Sequence, residues 1–248
     1  MIRRGNEAEM IITAGGKKEF MTGEEIQRNV ARIRTELAEA SDGRWPVPKL
    51  IAVTKTHSPE EILPLAEAGV TEIGENRVQE LTAKLPGLGD RFQIHLIGRL
   101  QRNKVKQVIG NVCMIQSVDS EPLAEEIHHR ALAAGIRMPV LMEVSPAGEE
   151  QKGGVAYEET EAFLRRIAPL EGLEIRGLMA VMPLTDDEGY LDGLFARMRG
   201  LFDRLREKDL GGIAMEELSM GMSGDYRLAA AHGATMVRVG SAIFGPRG

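Results

Sequence analysis

The chain has 248 residues, 43% of them hydrophobic, a formal net charge of -6 and a single cysteine, Cys113. That length suits one large α/β domain or two small ones with core enough to fold alone, and the acidic balance argues against wholesale binding of nucleic acid or anionic membrane and for a small-molecule partner. A lone cysteine excludes an intrachain disulfide and a zinc site of several thiolates, and no apolar run reaches the roughly 20 residues of a membrane helix or resembles a secretory signal, so a cytoplasmic protein is expected.

Residues 1–22 are charged, glycine-containing and aperiodic; Met10 and Met21 could each begin a shorter product, and a poorly ordered extension is expected. From residue 23, "EEIQRNVARIRTELAEA" sets Ile26, Val30, Ile33 and Leu37 on one helical face. Short apolar runs then recur at 50–54, 72–74, 92–98, 112–118, 138–144, 173–182, 216–221 and 235–240. Between them lie helical patterns: "PEEILPLAEAG", "SEPLAEEIHHRALAAG", "YEETEAFLRRIAPL" and "YLDGLFARMRGLFDRLREK". Strand alternating with helix implies parallel strands. The pattern predicts a single closed (β/α)8 TIM barrel over 23–248 with an additional N-terminal helix; an open doubly wound sheet is the alternative, because the run at 72–74 is so short.

In a barrel, functional groups collect where the strands end. The first run ends in Lys55, the second leads to "ENR" (75–77), and the third carries His95 and leads to "GRLQRNK" (98–104). On position alone, Lys55 reads most simply as a return to solvent, although a partly desolvated lysine at a barrel mouth has a lowered amine pKa and becomes a Schiff-base nucleophile. The seventh run ends in "SMGMSGD" and the eighth in "VGSAIFG". Ser219, Gly221, Ser223 and Gly224 precede a helical run, and Gly240 and Ser241 repeat the arrangement, which suits a phosphate better than two turns with N-cap serines would by coincidence. Alternation sends Arg238 to the opposite face from Val237 and Val239, into the barrel if those valines face the helices; its plain partner there is a strand carboxylate such as Glu143. His95 and His57 read as structural or solvent-facing, "HH" at 128–129 falls on an exposed helical stretch, and no spacing resembles a metal site. Arg99, Arg102 and Lys104 read as a solvated face with no nucleic-acid role.

"IAVTKTH", "IGENRVQE", "HLIGRLQRNK", "GLMAVMPL" and "LSMGMSGDYRLAAAHGATMVRVGSAIFG", in that order, resemble the pyridoxal phosphate homeostasis proteins, single-domain relatives of the fold-type III enzymes that include alanine racemase. The resemblance spans about residues 23 to 246. It implies that Lys55 forms an aldimine with pyridoxal 5'-phosphate (PLP), that Ser219, Gly240 and Ser241 hold the phosphate with the Met220 and Gly221 backbone alongside, and that Arg238 faces the pyridine nitrogen with Asn76 beside the ring. A guanidinium there disfavours ring protonation and weakens the cofactor as an electron sink. The chain departs from the family's commoner residues at Thr54, Arg99, Gly224 and Ser241, of which only Ser241 touches an implied phosphate contact, and it keeps a hydroxyl.

The function implied is intracellular PLP homeostasis: buffering the cofactor or delivering it to apoenzymes, with no catalytic residues. The alternative is a fold-type III racemase or decarboxylase. Racemases use a second acid-base group, a tyrosine from an added β domain, whereas Tyr157, Tyr190 and Tyr226 all fall in helix-forming stretches here. A Schiff-base aldolase is a third, fold-only reading. Without the racemases' added domain and its dimer contact, a monomer is expected.

Overall fold

The computed structural model describes residues 21–148 and 153–246. Most of the segment expected to be poorly ordered, with Met10, therefore lies outside the described residues. The first helix, α1 (Gly23–Ser41), starts on Thr22, whose hydroxyl accepts the Glu25 N–H while the Glu25 carboxylate accepts the Thr22 N–H, so two otherwise unpaired donors are satisfied reciprocally. The stripe Ile26, Val30, Ile33 and Leu37 is fully buried, each side chain contributing roughly 1.5–3 kcal/mol. It packs α1 on the helices that follow the first strand and the last two strands.

Nine parallel strands follow among the described residues: β1 (Lys49–Val53), β2 (Glu72–Glu75), β3 (Gln93–Leu96), β4 (Met114–Val118), β5 (Met138–Ser145), β6 (Val155–Ala156), β7 (Leu173–Ala180), β8 (Glu217–Ser219) and β9 (Met236–Val239). Their order is β4-β3-β2-β1-β9-β8-β7-β5, and a β4–β5 pairing closes the ring, so eight strands form a (β/α)8 barrel and the open-sheet alternative falls. The sequence pattern does not show β6, a two-residue strand that extends the sheet only at the end of β5.

The helices between strands are α2 (Pro59–Ile62), α3 (Pro64–Glu67), α4 (Val78–Leu88), α5 (Val105–Val108), α6 (Glu121–Ala133), α7 (Thr160–Ile167), α8 (Glu188–Arg206) and α9 (Tyr226–Ala231), and α10 (Ser241–Phe244) follows β9. "PEEILPLAEAG", which reads as one helix, is two: Pro64 has no N–H to donate back into the first turn. "YEETEAFLRRIAPL" likewise begins as a 3-10 turn at Tyr157–Glu159 before α7.

Alternation along the strands makes two apolar layers. Ala52, Ile73, Ile94, Leu96, Leu178, Val237 and Val239 join the helices in the main core, while Ile51, Met114, Leu141, Met179 and Met236 form a separate plug inside the barrel. Below the plug, Lys49 Nζ pairs with Glu217 Oε1 at 3.0 Å and Thr235 Oγ1 donates to Glu217 Oε2 at 2.6 Å. The β5–β7 register shifts between Val140 and Leu141, and there Gly177, at φ +152°, presses against β8: an added Cβ would stand 1.8 Å from the Glu217 carbonyl oxygen. Gly177→Ala is expected to cost upwards of about 4 kcal/mol, read as a collapse of the urea-unfolding midpoint.

Candidate functional site

β1 sends Lys49, Ile51 and Val53 towards the barrel axis in turn, and Lys55 comes two residues later, past the strand's end. The chain turns there: Thr56 has φ +69°, uncommon for a β-branched residue, and the His57 N–H donates to the Thr54 carbonyl at 3.1 Å. A cavity of about 310 Å³ opens at this mouth, lined by Lys55 and Val53 together with His57, Arg238, the Met222–Gly224 turn and the Gly240–Ser241 junction. His57 stacks on Phe244 with ring centroids 4.1 Å apart, and its Nδ1 lies 3.2 Å from Glu61 Oε1, so it is fixed in the wall of the mouth rather than loose in solvent.

The two last strand ends meet across this cavity. Ser223 Oγ accepts the N–H groups of both Gly240 (3.1 Å) and Ala242 (3.3 Å). Two main-chain donors thus converge on one oxygen at the edge of the cavity, an arrangement suited to an anionic oxygen. Asp225 pins the same turn by accepting the Met222 N–H, and burial raises its carboxyl pKa.

Arg238 points inward, as the alternation of its valine neighbours predicts, and is 4% exposed. Its Nη1 donates to Ser219 Oγ at 2.6 Å and its Nη2 to the Ala180 carbonyl at 2.8 Å. Ser219 Oγ donates in turn to Gln116 Oε1 at 2.7 Å, and Gln116 Nε2 lies 3.1 Å from His95 Nδ1. The plain expectation of an ion pair with Glu143 is not met: Glu143 acts on Arg238 only through space, and neutral oxygens take the hydrogen bonds. Burial pulls the guanidinium down to about 10, which leaves it charged at neutral pH. Burial also drives the His95 imidazole down to about 4, so it is neutral.

Of the residues singled out from sequence, the fold gathers Lys55, Arg238, Gly240 and Ser241 on one cavity. Ser219 lies beneath it with its hydroxyl committed to Arg238 and Gln116; Met220 is buried in the helix-facing core. Gly221, at φ +96°, abuts α9, where an added Cβ would meet Ala229 Cβ at 2.5 Å, so close packing already requires it. Asn76 follows β2, and its Oδ1 is buried without a hydrogen-bond partner, an acceptor left for a donor outside the protein or for water. Arg99 and Arg102 are exposed, and His128 is half-buried, its Nδ1 accepting the Gly172 N–H. Sequence reasoning missed His57 as a wall of the mouth and Gln116 as the link beneath it; the alternation within β4 was the one signal for the latter. Among the described residues no cluster of His, Cys, Asp and Glu could hold a metal ion, and no helix is long and apolar enough to cross a membrane.

Fold and mouth together define a barrel of the alanine racemase type, and the sequence profile described as "Alanine racemase, N-terminal domain" matches residues 22–248. A pyridoxal phosphate homeostasis protein of Deinococcus radiodurans is 44% identical over 217 residues, covering 87% of this chain and 97% of that one. The PLP-bound structure of PipY from Synechococcus elongatus is 34% identical with a TM-score of 0.79, covering 89% of this chain and 100% of that one. An alanine racemase of Clostridium difficile, 17% identical with a TM-score of 0.74, covers 90% of this chain and 60% of that one and shows the shared fold alone. The chain belongs to the pyridoxal phosphate homeostasis protein family.

Glu143, on β5, gives a test of the mouth's electrostatics. Burial first, then Asp119, push its carboxyl up to about 7, against the smaller pull of Arg238 and Arg99. A folded-state pKa above the unfolded value means that the native state binds the proton more tightly between about pH 4.5 and 7, so this group's contribution is present below that window and lost as pH rises through it. Glu143→Gln is therefore expected to stabilise the ligand-free protein more at pH 8 than at pH 4.5, by on the order of 3 kcal/mol, in paired urea titrations.

Proposed function

We propose that this chain holds PLP covalently through Lys55 and serves intracellular PLP homeostasis, buffering the cofactor and delivering it to apoenzymes. The observation that carries this reading is the convergence on one cavity of a lysine amine, two main-chain N–H groups aimed at a single oxygen, and a buried guanidinium. The name of its relatives and the PLP bound to PipY support it. PLP supplies an aldehyde and a phosphate dianion. The Lys55 amine would hold the cofactor through that aldehyde, and the Ser223, Gly240 and Ser241 junction would hold the phosphate, towards which the Ser223 hydroxyl can donate. Ser219 then acts one step back, orienting Arg238, rather than on the phosphate itself.

Arg238 faces the pyridine nitrogen in this reading. Charged at neutral pH and held by neutral oxygens, it disfavours a proton on that nitrogen and so limits carbanion chemistry on the cofactor. None of Tyr157, Tyr190 and Tyr226 lines the cavity; Tyr226 is buried with its hydroxyl on Glu36. The racemase or decarboxylase reading keeps one candidate base, His57, on the cavity wall. Incorporation of solvent deuterium at the α carbon of amino acids is its test; essentially none is expected, and a rate comparable to a dedicated racemase would establish it.

The holo-protein is expected to be yellow, and borohydride reduction followed by peptide mass analysis should place the cofactor on Lys55. Lys55→Ala should lose that fixation while retaining weaker binding through the phosphate junction. A protein that takes up no PLP on reconstitution, or one fixed at another lysine, would refute the reading. For delivery, an apo PLP enzyme mixed with the holo-protein should recover activity faster than with the same amount of free cofactor.

A further inference from the structure

Lys84 is a buried lysine that the chemistry above does not use. It sits on α4, 7% exposed, and its Nζ donates to the Thr54 carbonyl at 2.8 Å and to Glu75 Oε1 at 2.7 Å. Glu75 is fully buried, and the same Oε1 accepts from Thr54 Oγ1 at 2.6 Å. One turn earlier on α4, Glu80 Oε2 lies 3.7 Å from Lys84 Nζ and accepts the Thr56 N–H at 2.9 Å.

The geometry is specific to the residue between those contacts. The Thr54 carbonyl belongs to the peptide that precedes Lys55, and the Thr56 N–H to the peptide that follows it. Two side chains of one helix thus grip both peptides of Lys55. The turn needs such a grip: Thr56 at φ +69° is a conformation that costs roughly 1–3 kcal/mol and persists only where its surroundings impose it. Burying a lysine and a glutamate also costs several kcal/mol per ion before their attraction and hydrogen bonds offset it, and an apolar pair of similar volume would serve packing at least as well. The polar pair does one thing an apolar pair cannot: it holds a main-chain carbonyl in place.

Resting on the reading of Lys55 as the PLP-binding amine, we propose that Lys84 and Glu80, with Glu75 behind them, are positioning residues for Lys55, fixing the turn that delivers its amine to the cavity. The helix that follows β2 then sets the reach and direction of a side chain that follows β1.

The test uses full-length protein and two probes, PLP and pyridoxamine 5'-phosphate, which has no aldehyde and reports phosphate and ring contacts alone. Glu80 is on the outer side of the clamp, so Glu80→Ala leaves the buried pair intact, and Glu80→Gln keeps an acceptor for the Thr56 N–H. The double variant Lys84→Met/Glu75→Met removes the buried pair without leaving an unpaired charge; Glu80→Ala carries the test if the double variant unfolds. In Glu80→Ala, PLP affinity and the rate of borohydride fixation at Lys55 should fall by roughly tenfold or more, the order expected when a reacting group is misplaced. Pyridoxamine 5'-phosphate affinity should stay within twofold, and Glu80→Gln should restore most of the loss. Wild-type fixation in a folded Glu80→Ala protein, or equal losses for both probes, would overturn the proposal. Lys55→Ala run alongside separates the two readings: if it too leaves borohydride fixation unchanged, the assignment of Lys55 has failed rather than that of the clamp.

Discussion

Pairing of β4 with β5, Ile115 against Val140 and Val118 against Met142, closes the sheet on itself. Everything at the mouth follows from that closure. In an open sheet, both faces of every strand would meet helices and the interior positions would read as a second apolar layer. In a closed one, alternate residues share a column only one barrel wide, and the column is graded. Lys49 and Glu217 neutralise each other at the lower end, the plug of Ile51, Met114, Leu141, Met179 and Met236 fills the middle, and Gln116, Ser219 and Arg238 stand two residues above plug or pair positions on the same strands. A charge at Arg238 is thus backed by protein on its inner side and faces the cavity on the other.

Two buried cations are handled in opposite ways. Lys84 has a carboxylate at 2.7 Å, whereas Arg238 has a hydroxyl and a carbonyl, with its carboxylates, Asp225 and Glu143, acting through space. The difference matches what each is placed to do. A direct ion pair spends a cation's charge locally and leaves it a structural post, which suits a group that grips a main-chain carbonyl. Neutral acceptors fix the plane of a guanidinium without cancelling its field. Arg238 can therefore act electrostatically on whatever enters the mouth, and Ser219, Gln116 and the neutral His95 form the chain that keeps its plane fixed.

The barrel strands were legible because parallel strands buried on both faces read as near-continuous apolar runs, and even the short run at 72–74 occurs as β2. The inward aim of Arg238 was legible from Val237 and Val239. Its partners were not, since alternation assigns a residue to a face but does not say which strand's oxygens stand opposite. Ser219 illustrates the same limit: one apolar run cannot show whether its last hydroxyl clears the rim or stops beneath it, and here β8 ends on Ser219 with Ser223 four residues further on at the cavity. Lys84 left no trace in the pattern, because a lysine among "VQELTAKLPGL" looks like any solvated helix residue until α4 is docked against the turn after β1. The split of "PEEILPLAEAG", by contrast, was available in Pro64.

The site is also asymmetric in its rigidity. Around Lys55 the main chain is fixed on both sides by charged side chains, and around Arg238 a buried chain of hydrogen bonds does the same. At the junction of the last two strand ends, by contrast, one serine oxygen takes up both main-chain donors. A main chain held on both sides of Lys55, a junction of two main-chain donors and a buried cation thus meet at one cavity.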